Sequence, residues 1–174
     1  MIVITITGKQ SEQWTHTYEK VGRLGERRRI PTFFASIALS GRSGRYEFLV
    51  TRHTTDFIFD RQLEKFFGTG GECPPNNPGY PYHGIIHQTK TIPFGIRLHD
   101  KGCEQKTTLK APGGTVRNSI LIHHGPARSE GCFMVYGGKK GFATFKRELE
   151  SLLRSVSHPK TPEIRVHVHN RPVT

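Results

Sequence analysis

No stretch of this chain approaches the roughly 18 consecutive apolar residues that a membrane-spanning helix requires. The segment Met1-Ile2-Val3-Ile4-Thr5-Ile6-Thr7 has no basic residues ahead of it and is too short for the apolar region of a secretory signal, so it reads as a first or edge strand. Acidic residues are scarce, 14 against 26 lysines and arginines; the formal net charge of +12 implies an anionic partner such as nucleic acid, an acidic membrane surface or a wall polymer. No specific nucleic-acid partner is expected, because no RNA- or DNA-binding motif is present and aromatics are not interleaved with the basic residues. Cysteine is scarce too: three thiols allow at most one disulfide. With 174 residues the chain is long enough for one domain with a proper core and too short to expect two, so residues 1–174 are read as a single domain.

What is present is mainly strand pattern. Ile2 to Thr7, Phe33 to Leu39, Tyr46 to Thr51, Ile92 to His99, Ser119 to His123, Phe133 to Val135 and Ile164 to His169 are predicted strands, several with period-two alternation. Gly41-Arg42-Ser43-Gly44 reads as the hairpin turn between the second and third. Phe142, Phe145, Leu149, Leu152, Leu153 and Val156 have helical spacing, with Lys, Arg and Glu between them, and predict an amphipathic helix. Asp60 to Phe67 is a shorter helix candidate that would turn Leu63, Phe66 and Phe67 to the core. The fold class is therefore mainly β with some α+β character, a sheet sandwich or barrel with one amphipathic helix near the C-terminus. Residues 68–82, rich in proline and glycine, read as a long irregular loop of the kind that covers binding sites. Arg23 to Arg29 and Lys139 to Arg154 hold much of the positive charge, either as solvated faces or as docking surfaces.

The stretch with chemical content is Ile120 to Val135, Ile-Leu-Ile-His-His-Gly-Pro-Ala-Arg-Ser-Glu-Gly-Cys-Phe-Met-Val. An apolar strand ends at His123 and His124, Gly125-Pro126 breaks it, and Cys132 stands at the mouth of a second apolar run. A thiol needs a neighbouring base to become a thiolate near neutral pH, and a histidine at the facing strand end supplies one. Strand alternation separates the two imidazoles, with Ile120, Ile122 and His124 on one face and Leu121 and His123 on the other, so only one of them can face Cys132. Ser129 either orients the base or bonds local backbone in a turn, Glu130 reads as a solvated loop residue, and the backbone around Gly131 offers oxyanion donors. The plainer alternative for Cys132 is a small buried hydrophobe.

These residues resemble the L,D-transpeptidase catalytic domain of the YkuD type, whose signature is Ile-His-Gly followed by Ser-His-Gly-Cys. The corresponding positions are Ile122, His123 or His124, Gly125 and Ser129-Glu130-Gly131-Cys132, and Thr91-Ile92-Pro93-Phe94-Gly95 is similar to that family's approach to a strand. The likeness covers roughly residues 85–140. The spacing of eight positions from His124 to Cys132 is short for the family, and Glu130 replaces a histidine. Both departures are similar to a divergent branch found in phage-associated domains and in type VI secretion effectors. The resemblance implies an L,D-transpeptidase-like sheet and a cysteine enzyme on peptidoglycan stem peptides, with Cys132 as nucleophile, His123 or His124 as base, Ser129 as a further catalytic residue, and Gly131, Tyr82 and His83 at the oxyanion and substrate. It implies no cofactor. It also implies export without a signal peptide, action in the periplasm or wall, and partners such as a secretion carrier or an immunity protein.

Two other readings stand beside this one. A basic wall- or nucleic-acid-binding module would use the positive charge alone, and a cysteine or zinc amidase would cut a different bond of the same polymer. The zinc form would draw on His83, His87, one of the His123/His124 pair and Cys132, although Gly84-Ile85-Ile86 argues against the helix that the His83/His87 spacing would need. His167 and His169 share a strand face, read as an exposed sheet edge. Cys73 and Cys103 lie in loops rich in glycine or proline; bridged, they would close a loop of about 30 residues and stabilise by roughly 3–4 kcal/mol, and unbridged they are two separate thiols.

Overall fold

Alternating burial decides the architecture. The computed structural model describes residues 1–21, 24–52, 58–60, 65–67, 73–103, 105–110, 116–124, 132–156 and 162–170. The first strands are β1 (Ile2–Val21), β2 (Leu24–Leu39) and β3 (Arg45–Thr51), followed by the short β4 (Ile58–Asp60) and β5 (Lys65–Phe67). Then come β6 (Tyr82–His87), β7 (Gly95–His99), β8 (Thr108–Lys110), β9 (Val116–Asn118), β10 (Leu121–His123) and β11 (Phe133–Met134). The helix α1 (Gly138–Ser155) and the strand β12 (Ile164–Val168) complete the described elements.

Eight of these strands form one sheet in the order β11-β10-β7-β6-β12-β1-β2-β3. Pairing is antiparallel except between β1 and β12 and between β10 and β11. The two outer strands meet: Val50 and Val135 form an antiparallel bridge, and the Tyr136 N–H donates to the Leu49 carbonyl at 2.8 Å. The sheet is therefore a nearly closed barrel, an arrangement that leaves little unpaired strand edge. Ile2, Ile4 and Ile6 of β1 face inward with Ile164, Val166 and Val168 of β12, and Ala35, Ile37, Phe48, Val50, Ile96, Leu98, Ile122 and Phe133 join them in one buried cluster. Gly84 of β6 is needed here, since a Cβ at that position would come within 2.8 Å of the Ile96 side chain and 3.0 Å of Ile164.

The helix packs on the apolar contents of the barrel. It starts after Gly137, whose φ of 98° belongs to the left-handed region, and buries Phe145 and Leu149. Phe145 meets Phe48 at 4.9 Å between ring centroids, and Phe142 meets Phe94 at 6.2 Å. Burial of two such side chains contributes roughly 1.5–3 kcal/mol each. Near the other end of the strands, the Arg52 guanidinium is 2% exposed and donates to the Thr7 and His169 carbonyls at 2.8 and 2.7 Å, tying β1 to the end of β12.

Several expectations change. Neither β1 nor β12 lies at a sheet edge, because the two pair with each other between β6 and β2; His167 is accordingly half-buried, while His169 is exposed. Of the predicted helix over Asp60 to Phe67, Asp60 ends β4 and Lys65 to Phe67 form β5, with Phe59 opposite Phe66, while residues 61–64 lie outside the described residues. Aromatic and β-branched residues there favour strand, and a segment so short has no means of nucleating a helix. Tyr82, the last residue of the predicted 68–82 loop, already belongs to β6, a strand within the barrel that was not predicted from the sequence. Cys73 is fully buried and Cys103 partly exposed, and the two are not bridged. Arg23 and residues 68–72 lie outside the described residues, as do Gly125 to Gly131. Among the described residues no helix is long and apolar enough to cross a membrane.

Candidate active site

The chemistry-bearing residues are sorted by which way each strand turns them. Parallel pairing sets Ile122 opposite Phe133 and His123 opposite Met134. Ile122 and Phe133 belong to the barrel core. The same alternation sends His123 and Met134 outward, and Leu121 and Cys132 with them. His124 has the opposite sense and packs on Phe142, with ring centroids 5.4 Å apart. Of the two histidines left open by the sequence, His123 is therefore the one that shares a sheet face with Cys132.

His123 is an almost fully covered imidazole, 3% exposed. Burial is the main cause that holds its pKa below the ordinary value; the His124 carbonyl opposes that shift, and the nearby His124 and His87 add to it. Its Nδ1 lies 3.1 Å from the His124 carbonyl oxygen. A carbonyl only accepts, so Nδ1 carries the proton and the neutral ring keeps the Nε2 lone pair available as a base.

Cys132 is 9% exposed. Its sulfur accepts the Leu121 N–H at 3.4 Å and its thiol donates to the Ser119 carbonyl at 3.6 Å, so the side chain is turned to the backbone at the start of β10. Ser119 itself holds φ at 56°, a left-handed conformation that a non-glycine residue adopts at a cost. Strand spacing and rise put the Cα atoms of Cys132 and His123 roughly 8 Å apart, two residues along neighbouring strands. Side-chain rotation is what would bring sulfur and imidazole together.

Neighbouring strands extend this outward face. His87, Gly95 and His123 stand in one cross-strand row, and Ile85, Arg97 and Leu121 in the next, level with Cys132. A third row runs Arg165, His83, His99. Gly95 leaves the space between His87 and His123 open, since a Cβ there would sit 3.4 Å from the His123 Cβ. Arg97 is half-buried, and its Nε has no hydrogen-bond partner among the described residues. Both of its cross-strand partners, Ile85 and Leu121, are aliphatic, so the cation meets no counter-charge in its row.

Compared with family models, with curated proteins and with solved structures, the chain matches none. The site must therefore be judged on its own residues. Cys132 and His123 share a face; Ser129 and Gly131 lie outside the described residues. Tyr82, expected at the substrate, is 2% exposed in the barrel core and donates its hydroxyl to the Pro74 carbonyl at 3.0 Å, which removes it from ligand contact. His83 remains half-buried on the outward face, 3.5 Å from Glu163 through Nδ1. No group of three or more His, Cys, Asp or Glu converges on a metal-sized centre among the described residues. Arg97 and the Gly95 gap were not singled out from sequence. The one signal for them was the alternation Ile96-Arg97-Leu98-His99, which put an arginine and a histidine on the face opposite two core residues.

Proposed function

We propose that the chain is a cysteine acyltransferase of the L,D-transpeptidase type acting on the stem peptides of peptidoglycan. The observation that supports this best is the β10–β11 register, which gives Cys132 and a neutral, buried His123 a common face at the two ends of the segment that carries the Ser-x-Gly-Cys motif. In this reading the Cys132 sulfur leaves the Ser119 carbonyl by rotation and attacks an amide carbonyl carbon. His123 Nε2 takes the thiol proton, then returns it to the leaving amine as the C–N bond breaks and a thioester forms. An incoming amine or water breaks the thioester and restores the thiol, which gives cross-linking, amino-acid exchange or trimming. Arg97, with an unsatisfied Nε in the row of Cys132, is the natural partner for the free carboxylate of a terminal D-amino acid.

The test is incubation of the protein and of Cys132→Ala with tetrapeptide and pentapeptide muropeptides plus a free D-amino acid, read by intact mass. Loss or exchange of terminal D-alanine that disappears in the variant is the expected result; no change with folded wild-type protein rejects the reading. As an antibacterial effector delivered to the periplasm, such an enzyme would deplete the donor stems, so expression there should be toxic where cytoplasmic expression is not.

A second reading, a non-catalytic basic binding module, draws on the Cys132 sulfur being engaged with Leu121 and Ser119 backbone and on the net charge of +12. It predicts inert muropeptides and an affinity for anionic polymer that falls steeply with salt.

A further inference from the structure

A cleft on the outward side of the barrel lies apart from Cys132 and His123. It encloses about 560 Å³ and is lined by the turn carrying Tyr80 together with His83, Asp100, Lys101, Lys110 and Arg165. That volume suits a ligand of metabolite size. We propose that this cleft binds the oxyanion group, carboxylate or phosphate, of a small ligand, with Lys101 and Lys110 as its cationic contacts and Tyr80 as an apolar cover at the rim.

The charges of the wall support that assignment because its cations, Lys101, Lys110 and Arg165, outnumber its one acid, Asp100. The Asp100 carboxylate accepts the backbone N–H of Lys110, which fixes the end of β7 against β8. Glu163 accepts the Arg165 Nε–H at 3.0 Å and lies 3.5 Å from His83. Both lysines are exposed, and neither ammonium forms an ion pair among the described residues. The field left inside the cleft is positive, and concave walls concentrate it. Tyr80, a large ring 79% exposed, lines the cleft. Such an amphipathic ring combines apolar contact area with a hydroxyl at its tip. Burial is the main cause that lowers the His83 pKa below its ordinary value, and the imidazole completes the wall as a hydrogen-bonding group.

This binding site does not depend on Cys132 being a nucleophile, and its test needs no turnover. The full chain, labelled with nitrogen-15, is titrated with inorganic phosphate and separately with glutarate at constant ionic strength, with glutaramide as the uncharged control. Saturable amide shifts centred on Tyr80, Lys101 and Lys110 are expected for at least one anion and for neither residue set with glutaramide; the tighter anion identifies the group. The double variant Lys101→Gln/Lys110→Gln should weaken binding about tenfold or more, with an unchanged thermal midpoint, and Tyr80→Ala should weaken binding of glutarate more than of phosphate. Shifts spread over the basic face of α1, affinity unchanged in the double variant, or no saturation with either anion would each overturn the assignment.

Discussion

The two faces of β7 and β10 come from the same short stretches of chain and have opposite characters. Inward, Ile96 and Leu98 meet Ile120 and Ile122, each no more than 1% exposed, in a purely apolar cluster. Outward, the same strands carry Arg97, His99 and His123, with Cys132 beside them. Two of those polar side chains, His99 and His123, are also buried, at 8% and 3%. A cation or imidazole withdrawn from water weakens a fold unless it is satisfied, and the Arg97 Nε has no partner among the described residues. One face therefore holds the barrel together, and the other keeps polar and titratable groups away from solvent at some cost in stability.

Paired substitutions across the sheet test that contrast most strongly. Leu98→Ala should destabilise by about 2–5 kcal/mol, the range for emptying a packed core position, whereas Arg97→Gln on the same strand should change stability by no more than about 1 kcal/mol and lower any activity on carboxylate-terminated stems. Urea midpoints for the two variants check it; equal losses would erase the distinction between the faces.

A smaller effect follows from pH. Burial holds the folded His123 pKa below the ordinary 6.5, so the unfolded chain takes up that proton first as pH falls. The stability due to the neutral ring is complete above 6.5 and is lost as pH drops through that value toward the folded pKa. His83, His87 and His167 are lowered by burial in the same direction, with less cover. Unfolding midpoints measured from pH 7.5 to pH 5 should decline, and His123→Gln should decline less steeply than wild type.

The smallest effect concerns the thiols and leaves stability untouched. Hydrogen bonds from the backbone at Thr108 and Thr107 hold the Cys103 thiol below its usual range, and this side chain is partly exposed. Cys73 and Cys132 are both buried. Mass mapping after brief alkylation at pH 7 should find Cys103 modified first. Modification of Cys132 ahead of Cys103 would show that its sulfur leaves the Ser119 carbonyl often, and would strengthen the catalytic reading.

The strands that alternate cleanly were visible in the sequence: Ile2 to Thr7, Tyr46 to Thr51 and, but for His169, Ile164 to His169 fall on strands, and the Phe142 to Val156 spacing falls on the helix up to its C-cap at Val156. Tyr82 to His87 escaped because Gly84 removes a side chain from the pattern, and the reason for that glycine, the bulk of Ile96 and Ile164, belongs to strands far away in sequence. Pairing partners escaped for the same reason: nothing local to Ile2 announces Ile164. At the site, alternation narrowed the choice to one histidine per face, but only the β10–β11 register could say which face Cys132 shares. The cleft around Lys101 and Lys110 was hidden altogether, being assembled from a turn and the ends of β6, β7, β8 and β12.

The parallel pairing of β1 with β12 has a kinetic consequence. Because β1 is made well before β12, one of its edges stays unsatisfied until β12 is available, since Ile2 is matched with Ile164 and Ile6 with Val168. Until then β1 and β6 both present open edges, and the contacts that join them span nearly the whole chain. Long-range pairings of this kind make for slow folding, because loop closure comes before any return from the contacts it permits. During synthesis the nascent chain thus passes through a prolonged stage with two templating strands exposed, the stage at which a holdase or a rapid handover to another factor would matter most.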